Sequence, residues 1–201
     1  TDPALTGAVT LCLPQDVQCE AFLYPKSFFK KRIHRLRRPA PEPWQVEAAL
    51  EMIKKSERPL IIAGGGVHYA KAASALQNFA LKFGIPVAET AAGKSAILAD
   101  SPVYLGALGV IGTSAANQMI HEADVVIAIG TRLADFVTCS NTFLKSQELI
   151  SINIDVHDTH KRDPALSINA DALRAIEDLE RALRKINFKT SKSYLDEVNK
   201  K

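Results

Sequence analysis

The stretch RPLIIAGGGVHYAKAASALQNFALKFGIPVAET, residues 58–90, decides the fold. Its Leu60-Ile61-Ile62-Ala63 run is too short for a helix and has no alternating polar positions, as a strand buried on both faces requires. Gly64-Gly65-Gly66 ends that run. Ala72, Ala73, Leu76, Phe79, Ala80 and Phe83 then recur at helical spacing and make the inner stripe of an amphipathic helix, which Gly84 closes. Ile85-Pro86-Val87-Ala88-Glu89 reads as a second strand. Strand, helix and strand in this order form a right-handed crossover between parallel neighbours.

The same alternation extends in both directions. Upstream, Trp44, Ala48, Ala49, Met52 and Ile53 lie on one helical face. Downstream, residues 113–122 read as a helix, DVVIAI (124–129) as a buried strand ending at Gly130, and LISINI (149–154) as another ending at Asp155. A shorter strand spans Leu166 to Asn169, and Ala172, Ile176, Leu179, Leu183 and Ile186 mark the last helix. The expectation is one α/β domain over residues 44–186, a three-layer α/β/α with a doubly wound, mostly parallel sheet of about six strands. Before it, GAVTLCL (7–13) is a strand candidate, and residues 14–43 are aperiodic and proline-rich; residues 187–201 read as a polar tail.

Composition narrows the function classes. The 201 residues are 47 % apolar and 23 % charged, the profile of a globular protein, and no apolar run is long enough to cross a membrane. The net charge is +3, but KKRIHRLRR (30–38) holds six of the 25 Lys/Arg, so the remainder is acidic. Such a cluster could contact nucleic acid or acidic lipid. With no interleaved aromatics, and Pro39, Pro41 and Pro43 following, it reads instead as a solvated connector, so no nucleic-acid or membrane partner is expected. Three cysteines without a CxxC pair argue for a reducing, cytoplasmic setting and against a zinc site. The opening at Thr1 rather than at a methionine reads as a piece of a longer chain.

Parallel open sheets bind ligands at the carboxyl ends of their strands. Those ends hold Gly64, Gly65 and Gly66, then Glu89, Thr90 and Gly93, then Thr131-Arg132 after Gly130, then Asp155. Glycines let a backbone approach phosphate, arginine pairs with it and an acid can bind a ribose. The dinucleotide pattern Gly-x-Gly-x-x-Gly fails at Tyr69, although Glu89 stands where a ribose-binding acid would. Two readings stay open: a stand-alone NAD-binding module, and a tight turn over an empty groove. His157 and His160 beside Asp155 and Asp158 lack a third ligand at a metal spacing. Lys94 in AAGKS lacks the glycine of a phosphate-binding loop, since Ala88 stands five before Gly93. Neither Ser101 nor Ser114 sits in a nucleophile elbow, so no catalytic residue and no metal site are expected.

Six ordered blocks carry a resemblance: GAVTLCLPQDVQ (7–18), RPLIIAGGGV (58–67), GIPVAETAAGKS (84–95), YLGALGVIGTSAAN (104–117), EADVVIAIGTRLADFVT (122–138) and INIDVHDTHK (152–161). Together they resemble the middle domain of the thiamine diphosphate-dependent decarboxylase and acetolactate synthase superfamily. The segment Tyr24 to Arg32 resembles a branch that hydrolyses a carbon–carbon bond of a cyclic 1,2-diketone in myo-inositol catabolism. The resemblance implies a Rossmann-like central domain. Residues 1–18 would be the last strand and exit of an upstream pyrimidine-binding domain, and 19–43 the interdomain connector. It also implies a homo-oligomer, with thiamine diphosphate and Mg2+ held by flanking pyrimidine- and diphosphate-binding domains. The Gly-Asp-Gly motif that holds the metal in that family is missing here. The family's FAD or ADP groove maps onto Gly64, Gly65, Gly66, Thr90, Gly93, Arg132, Asp155 and Asp171. Departures at Arg132-Leu133-Ala134-Asp135-Phe136, in place of Arg-Phe-Asp-Asp-Arg, and at Val156, in place of proline, point to a vestigial or weakly binding groove.

Overall fold

Every residue of the strand Pro59–Ala63 is buried, as its unbroken apolar run requires. In the computed structural model, which describes residues 2–198 and 200, the elements follow in chain order. They are α1 (Gln15–Gln18), α2 (Pro43–Lys55), β1 (Pro59–Ala63), α3 (Gly66–Tyr69), α4 (Ala73–Phe83), β2 (Val87–Glu89) and β3 (Tyr104–Ala107). The rest are α5 (Ser114–Glu122), β4 (Val125–Ile129), α6 (Asp135–Thr138), β5 (Glu148–Asn153), α7 (Val156–His160), β6 (Leu166–Asn169), α8 (Ala172–Lys185) and α9 (Lys192–Val198). Residues up to Arg37 and residues from Arg38 onward form two compact units.

The second unit holds one sheet in the order β3-β2-β1-β4-β5-β6, with every pair parallel. That order reverses direction between β1 and β4, which is the switch point of a doubly wound fold. Because side chains alternate along a strand, Ile61 and Ile127 face a core with Leu76, Phe79, Leu179 and Leu183. Leu60, Ile62 and Val126 face the opposite core, with Met119 and Ile120.

Four features depart from the expected layout. Trp44 is 60 % exposed, because α2 buries the line through Ala49 and Ile53. Five positions from Ala49, Trp44 points about 140° away from that line at 3.6 residues per turn. The edge strand β3 has no apolar run in the sequence, since Gly106, at φ +91°, interrupts it. Residues 7–13 form no strand, and no residue of the first unit is buried among those described. A strand needs a neighbouring backbone to bond with, and the described residues of that unit supply none.

The second unit also extends past both expected bounds. It starts at Arg38, with Pro41 buried and Glu42 and Gln45 forming a capping box at the start of α2. At the other end the polar tail is packed against the domain. Thr190 donates its N–H to the Phe83 carbonyl at 3.0 Å and its hydroxyl to the Gly84 carbonyl at 2.7 Å. Tyr194 and Val198, one turn apart on α9, are both buried. Two anchors on a seven-residue helix are too few for a periodic signal.

At the amino ends of β1 and β4 the carboxylate of Asp124 gathers donors. It accepts from the Ser56 hydroxyl and from the N–H groups of Glu57 at 2.7 Å and Arg58 at 3.1 Å. Burial pushes its pKa up, but these hydrogen bonds, Ser56 first, outweigh burial and hold it below the ordinary carboxylate value. A carboxyl with a lowered folded-state pKa adds stability above its unfolded pKa and loses it as pH falls through the folded one. Asp124→Asn is therefore expected to lower stability at neutral pH by about 1–2 kcal/mol and to flatten the acid limb of the stability curve. Urea unfolding at several pH values checks both; an unchanged acid limb would count against the assignment.

Candidate nucleotide groove at the switch point

The crevice outside β1 and β4 is where a doubly wound sheet takes a ligand, and here its two walls touch. Gly64 donates its N–H to the Ile129 carbonyl at 2.9 Å, and Gly66 donates to the Gly130 carbonyl at 2.9 Å. A Cβ on Gly64 would lie 2.3 Å from the Gly130 carbonyl oxygen, and one on Gly66 2.6 Å from the Gly130 Cα. Gly130 itself has φ +61°, a conformation that favours glycine. The end of β2 joins the same seam. Thr90 donates its N–H to the Ala63 carbonyl at 2.9 Å, its hydroxyl caps the N–H of Gly93 at 3.0 Å, and a Cβ on Gly93 would sit 2.1 Å from the Ala63 oxygen. The glycines bring three backbone segments together, and the N–H groups of Gly64 and Gly66 are already used.

The charged candidates lie farther out. Arg132 follows Thr131, with its side chain 79 % exposed and its Nε 3.5 Å from Asp158. Asp155 caps α7, accepting from the His157 N–H at 2.7 Å. Asp171 stands beyond β6, three strands from β1 and so about 14 Å away at the usual strand spacing. It is buried, caps α8 by accepting from Leu173 and Arg174, and pairs with Arg38 at 2.7 Å. Asp171→Ala is expected to cost about 2 kcal/mol through the lost cap and the stranded Arg38, while Asp171→Asn, which keeps a capping oxygen, costs under about 1 kcal/mol. Thermal unfolding of the two variants separates these values.

Glu89 is fully buried. One oxygen accepts from the Ile97 N–H at 3.0 Å, and the other from the Tyr104 hydroxyl at 3.2 Å with Lys94 Nζ at 3.8 Å. It cannot reach a ribose, which removes the residue on which a stand-alone NAD module depended. His157 and His160 do not converge with other ligands: among the described residues no three His, Cys, Asp or Glu side chains come together as a metal site would need.

Residue spacing did not reveal the side chains that shape the loops around the crevice. Asn117 grips Gly109 from both sides, accepting from its N–H and donating to its carbonyl, each at 2.9 Å. Arg162 donates twice to the Leu133 carbonyl, at 2.9 and 2.6 Å, and holds Leu133 at φ +45°. Both act across many residues, so no local pattern announces them.

The match to known proteins agrees with this architecture. Residues 46–179 match the model of the thiamine pyrophosphate enzyme central domain. The chain belongs to that family. Its relatives include proteins named 3D-(3,5/4)-trihydroxycyclohexane-1,2-dione hydrolase. One from Clostridium tetani is 46 % identical over 202 residues, covering 100 % of this chain and 31 % of its own length. One from Clostridium perfringens is 46 % identical over 199 residues, covering 98 % and 31 %. A Bacillus cereus relative is 47 % identical over 192 residues, covering 95 % and 30 %. The chain thus spans about a third of the length of these relatives, and the fold expected from its six sequence blocks is the one observed. Among the described residues no helix is long and apolar enough to cross a membrane.

Proposed function

We propose that this chain is the non-catalytic central part of a thiamine diphosphate-dependent hydrolase that opens trihydroxycyclohexane-1,2-dione by cleaving a carbon–carbon bond. The product is 5-deoxy-glucuronate, within myo-inositol catabolism in the cytoplasm. The observation that carries this reading is the 46 % identity to a relative of that name along the whole chain. Residues 1–18 belong to a preceding pyrimidine-binding domain and 19–43 to the connector, a division supported by the exposed apolar run at 7–13. Thiamine diphosphate and Mg2+ are held outside this chain, between domains of a homo-oligomer.

The chain's own contribution is structural. Its sheet presents the loops after β1 to β5 on one rigid edge, and its crevice is vestigial. The support for the second point is the seam of Gly64, Gly66, Gly93 and Gly130, which leaves neither Gly64 nor Gly66 an N–H for phosphate.

Two measurements test this. Calorimetry of the 201-residue chain is expected to show no binding of thiamine diphosphate, FAD or ADP, and tight binding of any of them overturns the structural role. The full-length enzyme, given thiamine diphosphate and Mg2+, is expected to consume the cyclic dione. Turnover of pyruvate to acetolactate without turnover of the dione replaces this reading with an acetolactate synthase or decarboxylase type.

A further inference from the structure

The first unit contains a feature that the proposed function leaves unused. From Phe22 to Phe29 four aromatic rings gather into one exposed cluster: Phe22 and Tyr24 at 5.1 Å between centroids, Tyr24 and Phe28 at 5.1 Å, and Phe28 and Phe29 at 5.3 Å. Pro25 and a single 3-10 turn, Lys26–Phe29, set this spacing. Phe29 is 73 % exposed and Ile33, just beyond, is 80 % exposed. Contiguous apolar surface of this kind on a polar chain marks a contact site.

The same arm is strongly cationic. Lys26, Lys30, Lys31, Arg32, Arg35 and Arg37 lie within it, and residues 21–37 contain no Asp or Glu. Among the described residues none of the six forms an ion pair. Residues 38–201 offer no counterweight, because they hold nineteen Lys/Arg and nineteen Asp/Glu. The excess of +3 therefore belongs wholly to the first unit. A domain with no acid surplus is a poor acceptor for a six-charge arm, so a second copy of this domain does not satisfy it.

We infer that the arm from Phe22 to Arg37 is a docking element that lays its aromatic cluster and its cations on an acidic, apolar-centred surface of the flanking part of the same full-length polypeptide. The inference rests on the proposed function, which makes this chain the middle of a longer one. It draws on the length outside the chain, since the relatives run about three times as long, and on charge complementarity. A polypeptide surface is favoured over nucleic acid or lipid because the match to the Clostridium tetani relative covers the whole chain, the arm included, and that relative carries about two thirds of its own length outside it. Three of the four ring contacts are edge to face and the fourth, Tyr24 with Phe28, is tilted, so no two faces in the cluster lie parallel to clamp a base.

Hydrogen–deuterium exchange over residues 21–37 of the full-length polypeptide, with the 201-residue chain as comparator, tests the arm. The expected result is exchange within seconds in the shorter chain and at least about tenfold slower exchange in the full-length protein. The protection should fall in about 1 M salt, where the Debye length is about 3 Å. It should also fall in Lys30→Glu/Lys31→Glu/Arg32→Glu, with Phe28→Ala/Phe29→Ala as a second variant that keeps every charge. Equal exchange in the two proteins overturns the inference. So does protection that appears only on adding phosphatidylserine vesicles or an RNA oligonucleotide. Loss of dione turnover is read separately, so failure of the docking and failure of the functional reading remain distinct.

Discussion

Gly64→Ala is expected to destabilise the domain by about 3 kcal/mol, the upper end of the cost of overpacking a well-filled site. The added methyl would lie 2.3 Å from the Gly130 carbonyl oxygen and 2.6 Å from the Thr131 Cα. Both are backbone atoms at the end of β4, pinned by the bond from the Gly130 N–H to the Ile152 carbonyl at 2.8 Å. Nothing there can rotate aside, so β1 and β4 must separate at the switch point. For a domain of this size the thermal midpoint should fall by roughly 6–12 °C. Gly65→Ala is the control: its Cβ would meet only the Ala92 methyl and carbonyl oxygen, at 3.2 Å, and should cost under about 1 kcal/mol. If the triplet cradled a phosphate, the ranking would differ, with ligand affinity rather than stability responding to Gly64. Scanning calorimetry of the two variants with and without ADP separates a seam from a cradle.

Tyr194→Ala is expected to cost about 3–5 kcal/mol, as truncating a buried aromatic does. Tyr194 is 3 % exposed, donates its hydroxyl to the Pro59 carbonyl at 3.0 Å, and lies under the Arg58 guanidinium, 5.1 Å from the ring centroid. Arg58 also bridges Glu197 at 2.9 Å and Glu122 at 2.7 Å, tying α9 to α5 across the amino end of the sheet. Tyr194→Phe should cost only about 1 kcal/mol, the worth of one hydrogen bond. Burial, against the opposing pull of Arg58, pushes the phenol well above its usual value of 10. A raised folded-state pKa means that stability is complete below the unfolded value and is lost as pH rises beyond it. The wild type should therefore lose stability above about pH 10, and Tyr194→Phe should lack that limb. Denaturant midpoints across that range, and removal of residues 187–201, provide the checks. An undiminished midpoint in the truncated chain would show that the tail does not hold the domain together.

The residues legible from the sequence are those whose signal is local. Leu60-Ile61-Ile62-Ala63 and the stripe through Leu76, Phe79 and Phe83 carry their own periods, because a strand buried on two faces and a helix buried on one impose different spacings. β3 escaped because Gly106 breaks a four-residue run, and α9 because two buried residues do not make a period. The glycine triplet was visible as a motif, but its partners Gly130 and Ala92 are distant in sequence, and only their approach decides whether the triplet faces a ligand or another backbone. Glu89 shows the same limit. Its position after a strand suggested a ribose, yet full burial among Ile97, Tyr104 and Lys94 gives both its oxygens other partners.

By itself, the sequence determined that strands and helices alternate, which forces right-handed crossovers and a parallel sheet, and its six ordered blocks determined the family. Tertiary structure alone decided the strand order, the closing of the crevice and the buried tail. Those depend on which distant backbones meet at 2.8–3.0 Å and which charges find partners, and neither distance nor pairing is encoded in any local period.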